Sequence, residues 1–163
     1  MQKLQWPLYN LRAPITQPYG ANPRVYQRFG LSAHNGLDIG IVAGTAVLSS
    51  APGIVRFAGD GVGSPIMGAS AGLCLLIEHE GQILTEYAHL SKIYVEEGQE
   101  VDREIIALSG ATGAVSGDHL HWGVLEVPLA LDNGYMGRVD PTPYLTGEEV
   151  TGDELDNSPS EEA

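Results

Sequence analysis

The sequence predicts an all-β domain built on antiparallel sheet, and three observations carry that expectation. No window between the glycines sustains a 3.6-residue apolar period for three turns, and short runs rich in Val, Ile and Leu recur instead between turn residues. The third observation is punctuation: 21 glycines and 10 prolines in 163 residues demand many turns. Hydrophobic residues make up 43% of the chain and charged ones 18%, a balance suited to one globular domain with a buried core.

Along the chain, residues 1–33 contain Pro7, Pro14, Pro18 and Pro23 and are expected to run as irregular extended chain over the surface, with a short strand near 15–19. Segments of this kind often wall a groove. His34 and Asp38 stand four apart, yet Gly36 between them and Gly40, Gly44 and Thr45 after them disfavour a helix, so a turn leading into a strand is expected there. Strands follow at 45–49, 53–58, 72–79, 82–89, 105–109 and 119–127, with Glu80-Gly81 as the tight turn of one hairpin. Ala51-Pro52-Gly53-Ile54-Val55 and Glu97-Gly98-Gln99-Glu100-Val101 both set Gly ahead of a β-branched strand residue, a repeated turn solution rather than a solenoid. A second irregular stretch, 129–139, centres on Asn133-Gly134, and the prolines of Asp140-Pro141-Thr142-Pro143-Tyr144-Leu145 bar a continuing helix. The organisation expected is an irregular groove wall at 1–33, a core at 34–146 and a tail at 147–163.

Charge narrows the functions. Of the formal net charge of −13, seven acidic residues fall in 147–163, which has no Lys or Arg and reads as a solvated tail. The remainder, near −6 with only eight basic residues in all, argues against nucleic acid, whose phosphates need clustered Lys and Arg. The single cysteine, Cys74, sits in the apolar run Leu73-Cys74-Leu75-Leu76-Ile77 and reads as a buried inert thiol. The start, Met1-Gln2-Lys3-Leu4-Gln5-Trp6-Pro7, has no apolar leader core, and no stretch approaches the roughly 18 apolar residues of a membrane span. No export signal and no membrane insertion are therefore expected of the chain as given.

Chemistry concentrates in the histidines. Four of the five lie in His34-Asn35-Gly36-Leu37-Asp38, Tyr87-Ala88-His89-Leu90 and His119-Leu120-His121-Trp122. Strand periodicity puts His119 and His121 on one face, with Leu120 and Trp122 on the other. His34, Asp38 and one of the paired histidines would make a two-histidine, one-carboxylate set with a position left for water, which is the pattern of catalytic zinc. Spacing alone does not choose between His119 and His121.

At these residues the sequence resembles the lysostaphin-like, LytM-type zinc endopeptidases, which cut peptide bonds in bacterial peptidoglycan. The resemblance covers roughly residues 15–145 and rests on His34-Asn35-Gly36-Leu37-Asp38-Ile39-Gly40, Gly44-Thr45-Ala46-Val47, Gly53-Ile54-Val55, Tyr87-Ala88-His89-Leu90, Gly110-Ala111-Thr112-Gly113 and Gly117-Asp118-His119-Leu120-His121-Trp122. It implies the antiparallel duplicated-hybrid-motif fold, with loops walling an active-site cleft. It also implies Zn²⁺ held by His34, Asp38 and His121, with catalytic roles for His89 and His119. Such a metal polarises the scissile carbonyl and lowers the pKa of water toward about 7. Related enzymes often place an oxyanion-stabilising tyrosine in the wall segment, and Tyr26 is the candidate here. Two departures stand out: Asp102-Arg103-Glu104-Ile105-Ile106 replaces a Gly-containing turn, and Trp122 stands where Phe is frequent. The partner implied is a peptidoglycan peptide, and the short chain and its ending, Asp132-Asn133-Gly134-Tyr135 to Val139-Asp140-Pro141, resemble phage-encoded endolysins or virion-associated (tail) members.

Rival readings fit less of the sequence. A catalytically silent, peptidoglycan-binding or regulatory member of the same family would be expected to have lost ligands, whereas every one is present. A lipoyl- or biotinyl-type carrier needs a lysine on a hairpin tip, and the only lysines are Lys3 and Lys92. A glycosidase pair drawn from Glu78, Glu80 and Glu86 fails because Glu78 and Glu80 flank an exposed turn. Gly59-Asp60-Gly61-Val62-Gly63 and Gly110-Ala111-Thr112-Gly113 lack the lysine of a phosphate loop and read as turns. His79, at the end of an apolar run beside the hairpin turn, reads as structural.

Overall fold

The structure is a computed structural model that describes residues 2–145; the acidic tail expected at 147–163 lies outside the described residues. Its ten strands are β1 (Ile15–Gln17), β2 (Leu37–Ile39), β3 (Ala46–Leu48), β4 (Gly53–Asp60), β5 (Leu73–His79), β6 (Ile83–Ile93), β7 (Glu100–Val101), β8 (Ile105–Ser109), β9 (Leu120–Glu126) and β10 (Arg138–Val139). All pairings are antiparallel, in the order β1-β2-β9-β6-β5-β4-β7, with β10 beside β9 and β3 beside β8. The all-β expectation holds. No helix among the described residues is long and apolar enough to cross a membrane.

The long strand β6 organises the sheet. As far as Ala88 it pairs with β9, and from Leu90 onward with β8. Expected to end at residue 89, it continues to Ile93 because a new partner takes over its backbone groups. Period-2 alternation then sorts the two faces. Leu37, Ile39, Leu75, Ile77, Tyr87, Leu120, Trp122 and Val124 enter one buried cluster, joined by Val47, Ile106 and Ala107 from β3 and β8. The opposite face carries Asp38, Glu86, Ala88 and His121, and beyond them a smaller cluster of Leu76, Leu84 and Leu125.

The hairpin between β5 and β6 turns as its sequence demands. Glu80 and Gly81 have φ of 52° and 68°, and the Gln82 N–H donates to the His79 carbonyl at 3.0 Å, the geometry of a type I′ turn. Strands β2, β7 and β10, of two or three residues, are too short for a periodic signal and exist through their partners.

The N-terminal segment differs from expectation. Leu4 and Leu8 are fully buried in the main core and Leu4 bridges to Leu145, so the segment closes one end of the core as well as crossing the surface. Apolar residues between prolines found a partner that composition could not reveal. The two expected wall segments also meet: the Tyr19 and Tyr135 rings stack at 4.6 Å, and the Ser32 N–H donates to the Gly134 carbonyl at 2.7 Å.

Candidate active site

Register brings the site together. Asp38 of β2, His121 of β9 and Ala88 of β6 are successive cross-strand partners, so 83 residues of sequence separation collapse to one step across the sheet. His34 lies just before β2 and reaches the same spot because the intervening turn passes tightly over His121. A Cβ on Gly36 would lie 2.7 Å from His121 Cε1, 2.8 Å from its Nε2 and 2.8 Å from the Trp122 carbonyl oxygen. Glycine is needed here for close approach.

Asp38 Oδ1 is the hub: His34 Nε2 and His121 Nδ1 each lie 3.2 Å from it, and His119 Nε2 lies 3.6 Å away. One ligand atom from each of His34, Asp38 and His121 lies within 4.8 Å of the other two, a group able to hold a metal ion. The rings are oriented from behind. A carbonyl oxygen only accepts, so the His34 Nδ1–H donates to the Pro18 carbonyl at 3.2 Å, which turns Nε2 inward. Asp38 Oδ2 accepts from Gln17 Nε2 at 2.8 Å. Burial opposes ionisation of Asp38, but hydrogen bonds from His121 and His34 hold its carboxyl well below the usual range. His121 is wedged between two carboxylates, with Nε2 3.0 Å from Glu86 Oε2. Burial would lower its pKa, yet the Asp38 and Glu86 hydrogen bonds raise it to about 9. The donor set suits a divalent cation: two imidazoles, an ionised carboxylate and, on His121 Nδ1, a proton occupying the place a cation would take.

His89 and His119 stand beside this group, their rings 4.8 Å apart. His89 Nδ1–H donates to the Thr112 carbonyl at 2.8 Å and His119 Nδ1–H to the Gly117 carbonyl at 3.1 Å, so both rings are held through Nδ1 and turn Nε2 away from those carbonyls. Burial, then the positive His121, pushes the His89 pKa down to about 4, and its ring is neutral at pH 7. Its φ of 64° is a left-handed conformation rare outside glycine. That kink falls where β6 changes partner. It puts His89 on the same side as Ala88 while Leu90 returns to the core, a break in alternation that a regular strand would forbid. Thr112 is fixed in turn, its Oγ1 donating to the Leu90 carbonyl at 2.6 Å and accepting from the Leu73 N–H at 3.0 Å. The loop at 110–113 is thus a turn supporting His89.

Tyr26 sits at the rim, its ring 5.3 Å from that of His34. Its oxygen accepts from Gln17 Nε2 at 2.9 Å, which leaves the phenolic proton unused by that bond. All six residues singled out from sequence therefore gather at one place. His79 stands apart, fully buried between the Pro52 carbonyl and Thr85 Oγ1, each at 2.8 Å. Cys74 is buried and its thiol is pushed up to about 12 by burial and then by Glu86, as befits an inert group. Glu78 pairs with Arg56 at the surface, at 2.9 Å.

Sequence reasoning missed Gln17, Gly36 as a spacer, Thr112, Arg138 and above all Glu86. One signal existed: an acidic residue in the middle of an apolar strand, two positions from Ala88 and hence on its face, needs a buried partner.

Two imidazoles and a carboxylate converge beside two further imidazoles, a donor set of the kind that metallopeptidases use. The comparisons agree, and this chain belongs to peptidase family M23, whose family model matches residues 32–136. Among curated relatives, the peptidoglycan DD-endopeptidase ShyA of Vibrio cholerae is 40% identical over 96 residues, 58% of this chain and 21% of the relative. The cell division protein DipM of Caulobacter vibrioides is 34% identical over 145 residues, 88% of this chain and again 21% of the relative. The chain thus spans about a fifth of the length of these relatives. Among solved structures, the catalytic domain of the antimicrobial peptidase lysostaphin from Staphylococcus simulans superposes with a TM-score of 0.65 at 26% identity, covering 81% of this chain and 91% of that one. A zinc-containing peptidase from Vibrio cholerae gives 0.66 at 33% identity, covering 85% and 39%.

Proposed function

We propose that this protein is a zinc-dependent endopeptidase that hydrolyses peptide bonds in bacterial peptidoglycan. The observation that carries the reading is the convergence of His34, Asp38 and His121 beside two further histidines, each held by its Nδ1–H on a backbone carbonyl. His34 Nε2, Asp38 and His121 Nδ1 would hold the zinc. Bound there, Zn²⁺ would supply Lewis acidity, polarising the scissile carbonyl and making water nucleophilic at neutral pH.

The remaining work falls to the side chains. His89 and His119 share the proton traffic: the pair accepts the proton of the attacking water at Nε2 and returns it to the leaving amine. His89 suits the first half, because its ring is neutral at pH 7 and its Nδ1 is already occupied. Tyr26 donates a hydrogen bond from its phenolic O–H to the carbonyl oxygen as charge develops there. Two relatives from Vibrio cholerae, ShyA and ShyB, are peptidoglycan DD-endopeptidases, which favours a cross-link between D-centres as the bond cut. A phage or virion setting is proposed separately, and its test is genomic: structural or lysis genes should flank the reading frame.

The test is digestion of purified peptidoglycans, one cross-linked directly and one through glycine bridges, with released fragments read by mass spectrometry. Cleavage at a D,D cross-link is expected. His119→Ala should retain stoichiometric zinc and lose nearly all hydrolysis; undiminished turnover in the zinc-loaded variant would sink the proposed roles, and absence of cleavage by the wild type would sink the activity.

A further inference from the structure

Behind His121 lies a buried ion pair that the proposed catalysis leaves unused. Glu86 and Arg138 are 1% and 4% exposed, and Arg138 Nη2 donates to Glu86 Oε1 at 2.6 Å, with Nε 3.1 Å from each carboxylate oxygen. The guanidinium is itself anchored, Nη1 to the Met136 carbonyl at 2.9 Å and Nη2 to the Ile66 carbonyl at 3.1 Å. One carboxylate oxygen, Oε2, receives His121 Nε2–H at 3.0 Å. Room for that carboxylate comes from Gly123, the direct partner of Glu86 across the sheet, where a Cβ would clash with Oε2. Four residues on β6, β9 and β10 are therefore shaped around one hydrogen bond to one imidazole nitrogen.

An imidazole can present either nitrogen, and an acceptor that engages one commits the other. We propose that Glu86, clamped by Arg138, is the positioning residue of the metal centre: it claims His121 Nε2 and so leaves Nδ1 to face Asp38 and the metal. The inference rests on the metal reading given above. A purely structural ion pair would stabilise the fold without setting metal affinity. Burying two charges is costly enough that an apolar replacement often does as well, which makes a service to the site the better account of its retention.

Zinc affinity, measured by competition with a chelating dye on the full chain, separates these roles. Glu86→Gln removes the charge, while the double variant Glu86→Leu with Arg138→Met removes both charges together and leaves neither stranded. Both should bind zinc about 10–100-fold more weakly than the wild type. In zinc-loaded protein, long-range proton–nitrogen NMR should show His121 with its proton on Nε2 in the wild type and a mixture in the variants. A folded double variant, judged by circular dichroism, with wild-type zinc affinity overturns the inference. If the double variant does not fold, Glu86→Gln decides on the same criterion. A wild type that takes up no zinc overturns the metal reading and this inference with it, whereas a zinc-binding wild type beside unaffected variants overturns only the role of Glu86.

Discussion

At Gly36 a missing methyl group decides how near His34 and Asp38 can come to His121. Any side chain there meets the His121 ring and the Trp122 carbonyl at under 3 Å, and the backbone carbonyl has no way to yield. Gly36→Ala should push the imidazole away from Asp38 and weaken zinc binding by about tenfold or more, since a ligand displaced by half an ångström no longer fits a tetrahedral set. Chelator competition measures this, and unchanged affinity would show that the contact is not what seats His121. At the same scale, Asp38 accepts from Gln17, His34 and His121, and His121 donates to both Asp38 and Glu86, so neither ionised group is stranded in a buried place.

Among the elements, β6 matters most, because it presents opposite chemistries on its two faces and kinks between them. Its core side runs a chain of hydrogen bonds: the Ser50 N–H donates to the Tyr87 hydroxyl at 3.0 Å, that hydroxyl lies 2.7 Å from Thr85 Oγ1, and Thr85 meets His79 Nε2. With Nδ1–H donating to Pro52, His79 has an acceptor only at Nε2, so the neutral ring is the form that fits. Burial lowers its pKa accordingly. A base whose folded pKa is depressed contributes stability that is complete above its unfolded pKa, about 6.5, and is lost as pH falls toward the folded value. The contribution of His79 should therefore fade as the pH falls below about 6.5. His79→Leu should have a lower denaturation midpoint at pH 8 but a shallower decline below that pH, measured by urea titration at each pH; parallel profiles would assign the acid sensitivity elsewhere. Thr85→Val, which leaves Nε2 without its partner, should cost about 1–3 kcal/mol.

For the molecule as a whole, the proposed metal would tie β2 to β9 and both to the turn carrying His34, beside the loop at 110–113 that supports His89. A ligand bound only by the folded state stabilises it by mass action, about 2.7 kcal/mol at a hundred times its dissociation constant. Chelation should lower the thermal midpoint and added zinc restore it, and a midpoint indifferent to both would argue against a metal in this cleft.

Much of this was legible beforehand, and the reasons differ by feature. Turn residues and β-branched runs are local signals, so the strand class, the tight turn at Glu80-Gly81 and seven of the strands could be read from neighbours in sequence. Strand periodicity likewise put His119 and His121 on one face. Leu4 and Leu8 were misjudged because burial of an irregular segment depends on what it lands on, which no local pattern encodes. Glu86 was passed over because its partners, His121 and Arg138, are 35 and 52 residues away.

By itself, the sequence determined the kinds of donor, their spacing within each motif and the face each strand residue takes, since these follow from backbone geometry over a few residues. Which member of the histidine pair joins His34 and Asp38 was a matter of tertiary structure, for period two assigns a face but no register. Only the pairing of β2 with β9 sets Asp38 opposite His121, and only the kink at His89 turns that ring into the same cleft.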